Sequence, residues 1–229
     1  MSRFFDILAH IFLPNRCMFC KRTIEYDKLI CDGCHKNAPL TDLSKCLICG
    51  QEECHCQNYF RYLVTPFYYE MGADTAIRDL KFNNNMQNAK KLAICMSNCI
   101  KKTSLNQVVN IIIPAPLYKD DFKKRGFNQA YELAREISKL IKKPLCEDSL
   151  IKIKKTQKQH DLFAAQRYKN VESAFVVENK TALAQKTVLL IDDVFTTGST
   201  MNACAKVLFE AGAKEVICLV AAKTRYIVN

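Results

Sequence analysis

Tryptophan is absent from the 229 residues, and glycine and proline occur only six times each. No internal repeat and no low-complexity tract is present, so the chain reads as globular rather than repetitive or disordered. No apolar run approaches the length that spans a bilayer. Phe4 to Leu13 is the most apolar early stretch, but Asp6 and His10 interrupt it and no small-residue cleavage site follows. Secretory export is therefore not expected. The stretch reads as a short helix packing on the body, since it lacks the basic face of a membrane-surface anchor. Acidic residues are also scarce, 23 against 34 Lys plus Arg, which leaves a net charge of +11. The basic surplus is concentrated from Lys119 to Lys169, and it favours a polyanionic partner, a nucleic acid or a phosphorylated ligand, over solubility alone.

What the chain has in excess is cysteine, thirteen residues, eight of them between Cys17 and Cys56. Cys17 and Cys20 form one C-x-x-C, and Cys31 and Cys34 form another. Cys46 and Cys49 form a third, followed by Cys54 and Cys56. Two thiolates on a tight knuckle occupy two corners of a tetrahedron, and a second knuckle closes it. The simplest arrangement is one Zn²⁺ on Cys17, Cys20, Cys31 and Cys34 and a second on Cys46, Cys49, Cys54 and Cys56, with His35 or His55 as alternates. A disulfide framework needs an oxidising compartment, for which no export signal speaks. A redox pair is usually single, whereas these run in series. Cys95, Cys99, Cys146, Cys204 and Cys218 lie on apolar faces and read as core.

The rest of the chain is organised around Thr187 to Thr200, T-V-L-L-I-D-D-V-F-T-T-G-S-T. Val188 to Ile191 suits a strand buried on both faces of a parallel sheet. It ends in Asp192 and Asp193, and a turn of small, hydroxyl-bearing residues follows. From Ser199 the apolar spacing becomes helical, with Gly212 where a left-handed cap belongs. A second apolar run, Val216 to Ala222, completes a strand–turn–helix–strand unit. Ligands of open parallel sheets bind beyond the carboxyl ends of the strands. There the backbone of Thr196 to Ser199 and the helix N-terminus can cradle a phosphate. The two aspartates would repel that anion, so they suit ribose hydroxyls or a hydrated Mg²⁺. A sugar 5-phosphate answers both requirements, and the string looks like the phosphoribosyl-pyrophosphate (PRPP) motif of type I phosphoribosyltransferases.

Tyr59 to Met71 is aromatic and strand-like and marks the start of the main domain. Its Tyr59, Tyr62, Phe67, Tyr68 and Tyr69 suit packing at a junction, with base stacking beside Arg61 the weaker alternative. Asp74 is expected to cap a helix ending near Lys81, and a longer helix presents Leu92, Met96 and Cys99. Val108 to Ile113 is a buried strand running into Pro114-Ala115-Pro116-Leu117. Lys119 to Arg125 is expected as a charged, mobile loop, Asn128 to Lys142 as a helix, and Phe175 to Val177 as a strand. Nucleic-acid contacts are expected from Lys119, Lys123, Lys124, Arg125, Lys152, Lys154, Lys155, Lys158 and Arg167.

With P-A-P-L at 114–117, K-R-G-F-N-Q-A at 124–130, L-F-A-A-Q-R-Y-K-N-V-E-S-A-F at 162–175 and D-D-V-F-T-T-G-S-T at 192–200 behind the cysteine pairs, the chain resembles the ComF family. The likeness spans essentially the full length. It implies an α/β protein with a type I phosphoribosyltransferase fold, a mainly parallel sheet flanked by helices, preceded by a zinc module. Residues 1–58 would form that module and 59–229 the main domain. It further implies a cytoplasmic protein of natural transformation that handles incoming single-stranded DNA with a partner helicase and DNA-processing proteins, reaching the inner face of the membrane only through partners. Carried over by position, Asp192 and Asp193 would contact the ribose and Thr196, Thr197, Gly198, Ser199 and Thr200 the 5-phosphate. Lys81 and Ala115-Pro116 would grip pyrophosphate with Mg²⁺, and Lys123, Lys124 and Arg125 would form a flexible closing loop. No stretch is identifiable as an acceptor pocket for a base or amine. No N-terminal cysteine of the glutamine-hydrolysing kind is present either, since the chain reads Met1-Ser2-Arg3. Three functions are open: a DNA-uptake factor binding PRPP and single-stranded DNA, an active phosphoribosyltransferase, and a PRPP-sensing adaptor.

Overall fold

Residues 14–155 and 173–225 are described by a computed structural model of the chain. The expected helix at 4–13 and two of the basic candidates, Lys158 and Arg167, lie outside the described residues.

The sheet forms around β6 (Thr187–Phe195), which pairs in parallel with β3 (Ile111–Pro114) on one side and β7 (Glu215–Lys223) on the other. Two short strands, β1 (Tyr62–Val64) and β2 (Phe67–Tyr68), follow end to end along the far side of β7, also parallel. Side chains alternate across β6. Leu189 and Ile191 enter one core and Val188 and Leu190 the other. Both faces are covered, which is why these strands read as unbroken apolar runs.

One face carries α2 (Ala73–Asn83), α3 (Met86–Lys102) and α5 (Gln129–Ile141), whose Leu80, Leu92, Met96 and Leu133 are solvent-free. The other carries α6 (Ser199–Glu210) and an antiparallel hairpin of β4 (Leu150–Lys152) and β5 (Phe175–Val177). A five-residue helix, α1 (Asp32–Lys36), follows the first cysteine pair. No helix among the described residues is long and apolar enough to cross a membrane.

Two local expectations are corrected. Lys119–Arg125 is not a loop but a helix, α4. Asp120 and Asp121 fall in its first turn and Lys123, Lys124 and Arg125 in its last, the charge order that a helix dipole favours. Asp74 does not cap α2. The N-cap is Gly72 at φ 97°, and Asp74 sits in the first turn with its carboxylate accepting from the Gly72 N–H at 3.1 Å. Glycine is required there because a Cβ would stand 2.5 Å from Phe19 Cβ.

That contact shows how the cysteine segments join the body. Cys17, Met18, Phe19 and Ile24 pack into the α2–α3–α5 core, and Leu47 into the opposite core. Polar ties reinforce both junctions. Asp79 of α2, nearly buried, accepts from Lys21 Nζ (2.9 Å), Asn83 Nδ2 (2.7 Å), Asn85 Nδ2 (2.6 Å) and Asn88 Nδ2 (3.1 Å). Burial alone would raise its pKa, but the hydrogen bonds from Asn83, Lys21 and Asn85 and the Lys21 charge hold it below the usual carboxylate value. Buried Lys91 donates to Asn15 Oδ1 (2.7 Å) and to the Arg16 carbonyl, and buried Lys223 donates to the Leu47 carbonyl. Asp79→Ala leaves buried Asn88 without its carboxylate partner and cuts the Lys21 tie at once, and is expected to cost about 2 kcal/mol, read as a lower urea midpoint. An unchanged midpoint would show that the Lys21–Asp79 junction carries no stability.

Candidate functional site

The carboxyl ends of β3 and β6 bring together most of the residues singled out in the sequence. Ala115 continues beside β6, its N–H donating to the Ile191 carbonyl at 2.8 Å, and its own carbonyl accepts from Asn128 Nδ2 at 3.0 Å. The Ala115–Pro116 turn is thus clamped between β6 and the N-cap of α5. Asp192 follows Ile191, partly buried, and its carboxylate accepts from the Asp193 N–H at 2.8 Å. Asp193 is 5% exposed and forms an ion pair with Lys81 Nζ at 3.1 Å, which brings the last turn of α2 to the strand end. Burial first, and then the neighbouring Asp193 charge, push the Asp192 carboxyl up to about 7.

Beyond the acids the chain turns sharply. Gly198 takes φ 78° as the N-cap of α6, and a Cβ there would lie 2.5 Å from Phe195 Cζ. Only glycine lets the Phe195 ring lie under the loop, where it also meets Phe60 edge-on at 6.1 Å. Thr196 and Thr197 are exposed, while Ser199 is buried with its Oγ 2.9 Å from Thr197 Oγ1. Thr200 opens α6. Backbone N–H groups at a helix start, hydroxyls and a glycine that permits close approach are the chemistry of an anion cradle. Thr224 braces it from below, its N–H donating to the Phe195 carbonyl (3.0 Å) and its Oγ1 to the Thr196 carbonyl (3.3 Å).

The eight cysteines gather into two tetrads. Sulfurs of Cys17, Cys20, Cys31 and Cys34 all lie within 4.8 Å of one another, as do those of Cys46, Cys49, Cys54 and Cys56. His35 and His55 belong to neither. A zinc ion about 2.3 Å from four sulfurs sets them about 3.8 Å apart, and Cys20 and Cys31 stand at 3.7 Å. Backbone N–H groups of Cys20 and Cys31 point at the Cys17 sulfur (3.5 and 3.3 Å), and that of Ile48 at the Cys46 sulfur (3.4 Å), as in a metal knuckle. The Cys34 N–H helps bring Cys31 down to about 7. Burial and the adjacent sulfurs instead push Cys34 and Cys56 up. Four thiolates this close need a cation, so both tetrads can hold structural zinc. The other five cysteines are free thiols, and three of them, Cys99, Cys204 and Cys218, are buried.

The basic candidates divide. Lys119, Lys123 and Lys124 on α4 are exposed, as are Lys154 and Lys155, while Arg125 turns back to Gln129 Oε1 at 3.1 Å. Lys152 is no open surface cation. It lies 5.5 Å over the Phe175 ring, and burial lowers its pKa while Cys204, Asp121 and Asp192 oppose that fall. Missed in the sequence were Lys223 and Thr224, whose links to Leu47 and to the loop appear only when β7 lies beside β6. Two cavities were also invisible. One of about 380 Å³ adjoins Pro114 and Pro116 and is lined by Phe122, Phe127, Tyr131 and Glu132. A larger cleft of about 960 Å³ lies between the second tetrad and the β1 edge.

A parallel sheet with helices on both faces, and a strand ending in two acids over a glycine-containing turn, define an α/β domain of the type I phosphoribosyltransferase class. Residues 123–225 match the family described as "Phosphoribosyl transferase domain". The chain is 30% identical over 220 residues to competence protein F of Haemophilus influenzae, covering 90% of this chain and 95% of that one. It is 29% identical over 203 residues to the DNA utilization protein YhgH of Escherichia coli O157:H7, covering 87% and 86%. Among solved structures it is similar to a hypoxanthine phosphoribosyltransferase from Staphylococcus aureus, with 12% identity, a TM-score of 0.39, and 63% and 70% of the two chains covered. The chain belongs to the competence protein F family, ComF.

Two outcomes follow from the geometry. Cys17→Ala is expected to lower bound zinc from about two equivalents to about one and to lower the melting temperature; unchanged metal content would refute the first tetrad. The folded chain keeps the Asp192 proton between the free value near 4 and about 7, so this group's contribution to stability is lost as pH rises through that window. Asp192→Asn removes that loss, and its melting temperature should exceed the wild type's by roughly 10 °C more at pH 8 than at pH 4. An equal difference at both pH values would count against it.

Proposed function

We propose that the chain is a cytoplasmic DNA-uptake factor that binds PRPP and single-stranded DNA, residues 1–58 acting as its metal module and 59–229 as its sugar-phosphate domain. The observation that carries the reading is the strand end itself: Asp192 and Asp193 beside an anion cradle at Thr196 to Thr200. A ribose 5-phosphate satisfies both charges, its hydroxyls donating to the carboxylates and its phosphate seated on the loop. Asp192 and Asp193 suit the ribose and the water shell of Mg²⁺. Lys81 answers Asp193 now, and it would answer the pyrophosphate once a magnesium ion took over that carboxylate's charge. Ala115 and Pro116 offer the backbone that would face the same group.

DNA enters through the names of the relatives, a competence protein and a DNA utilization protein. It also enters through the exposed cations of α4 and of the β4–β5 hairpin. In this reading Lys119, Lys123, Lys124, Lys154 and Lys155 meet the phosphodiester backbone, with a helicase and other DNA-processing proteins as partners. A second reading, an active phosphoribosyltransferase, is favoured by the 380 Å³ cavity beside Pro116, whose Phe122, Phe127 and Tyr131 suit a planar acceptor and whose Glu132 suits an N–H.

The test is a titration of labelled single-stranded oligonucleotide at low and moderate salt, with and without PRPP and Mg²⁺. Salt-sensitive binding that shifts with PRPP is expected. Lys123→Glu with Lys124→Glu should weaken it about tenfold or more at low salt. Absence of binding at either salt, with pyrophosphate released in the presence of a nucleobase, would replace this reading by the enzymatic one.

A further inference from the structure

The 960 Å³ cleft lies along the opposite edge of the sheet from the cations just named. Its floor is β1 and the start of β7, and its far wall is the second cysteine tetrad. Three aromatic rings stand open on it: Tyr59 is 43% exposed, Tyr62 39% and Phe209 53%. Grouped on one cleft rather than scattered singly, the three rings offer an apolar face to a partner.

Two of those rings come with a cation. Arg61 lies over Tyr62 at 5.2 Å, and Lys206 Nζ over Tyr59 at 5.5 Å. Lys45 and Lys214 line the same cleft, and of its two acids Glu215 is already answered by Arg61 at 3.5 Å. A ring with a cation over one face offers the two parts that answer a nucleotide, a flat surface for the base and a positive charge for the phosphate. An extended peptide pairing with the β1 edge would need side-chain pockets, not paired rings and cations.

We propose that this cleft is a stacking groove for single-stranded nucleic acid, in which bases lie on Tyr59 and Tyr62 and the backbone follows Arg61, Lys206 and Lys214. The groove rests on the reading that the chain binds single strands. It assigns the bases to a place where neither the phosphate loop nor the basic helix α4 takes part. The second tetrad then serves the groove directly, because Cys46, Cys54 and Cys56 form one of its walls.

The experiment compares wild type with a Tyr59→Ala, Tyr62→Ala double variant and a Tyr59→Phe, Tyr62→Phe control. The probes are labelled oligothymidylate and an abasic oligomer of equal length. Because both tyrosines are well exposed, zinc content and melting temperature should stay at wild-type values. The wild type and the phenylalanine control should prefer thymidylate. The alanine variant should lose about tenfold in affinity per ring and bind the two probes alike. If it keeps the wild-type preference, the groove is overturned while single-strand binding stands, and the cleft falls to an extended peptide. If the wild type binds neither probe, both the groove and the DNA reading fall. Should the double alanine variant lose zinc, the single variants Tyr59→Ala and Tyr62→Ala take its place with the same two outcomes.

Discussion

Two carboxylates on successive residues at the end of a buried strand are costly unless their charge is answered. Asp193 is answered by Lys81, and Asp192 by holding its proton up to about pH 7. Much of the molecule is arranged around that need. Lys81 reaches the strand end only because α2 is fixed, and α2 is fixed through Asp79, which sits two residues before Lys81 and accepts from Lys21 in the first cysteine knuckle. On the other flank, Lys223 binds the second knuckle at Leu47 while the next residue, Thr224, supports the loop at Phe195 and Thr196. The two metal segments are buttresses of the same strand end.

The tetrads obey a parallel constraint. Four sulfurs within 4.8 Å cannot all ionise without a cation, and the opposed tendencies of Cys31 and Cys34 express that conflict. A zinc ion in each tetrad would resolve it and would rigidify segments that have almost no helix or strand of their own. α1, five residues long, has no buried side chain, so contacts of the flanking knuckles with the main body hold this part in place, and a metal would add to them.

Much of this is legible in the chain. Val188 to Ile191 has to be a doubly buried strand because no polar residue interrupts it, and the cysteine spacing alone sorts eight thiols into the two groups that the fold assembles. The misses share a cause. Lys119–Arg125 reads as a loop because its charge density hides a sequence ordered acid-first and base-last. Asp74 looks like a cap because the left-handed Gly72 that does the capping is dictated by Phe19, more than fifty residues earlier. Lys152 looks like surface charge because nothing local reveals the ring of Phe175 beneath it. Lys223 and both cavities are products of long-range pairing, to which local periodicity is blind.

The bond between Lys223 and Leu47 spans 176 positions of the chain. During synthesis at about 5–20 residues per second, roughly 10–35 s separate the appearance of the second knuckle from that of the lysine that docks it. Over that interval the cysteines of the second tetrad lack the strand they dock on, whereas those of the first can already pack on α2 and α3. Early capture of zinc would spare them from oxidation and cross-linking. Metal supply during translation, as well as the stability of the finished fold, would then bear on how much of the protein reaches its native form.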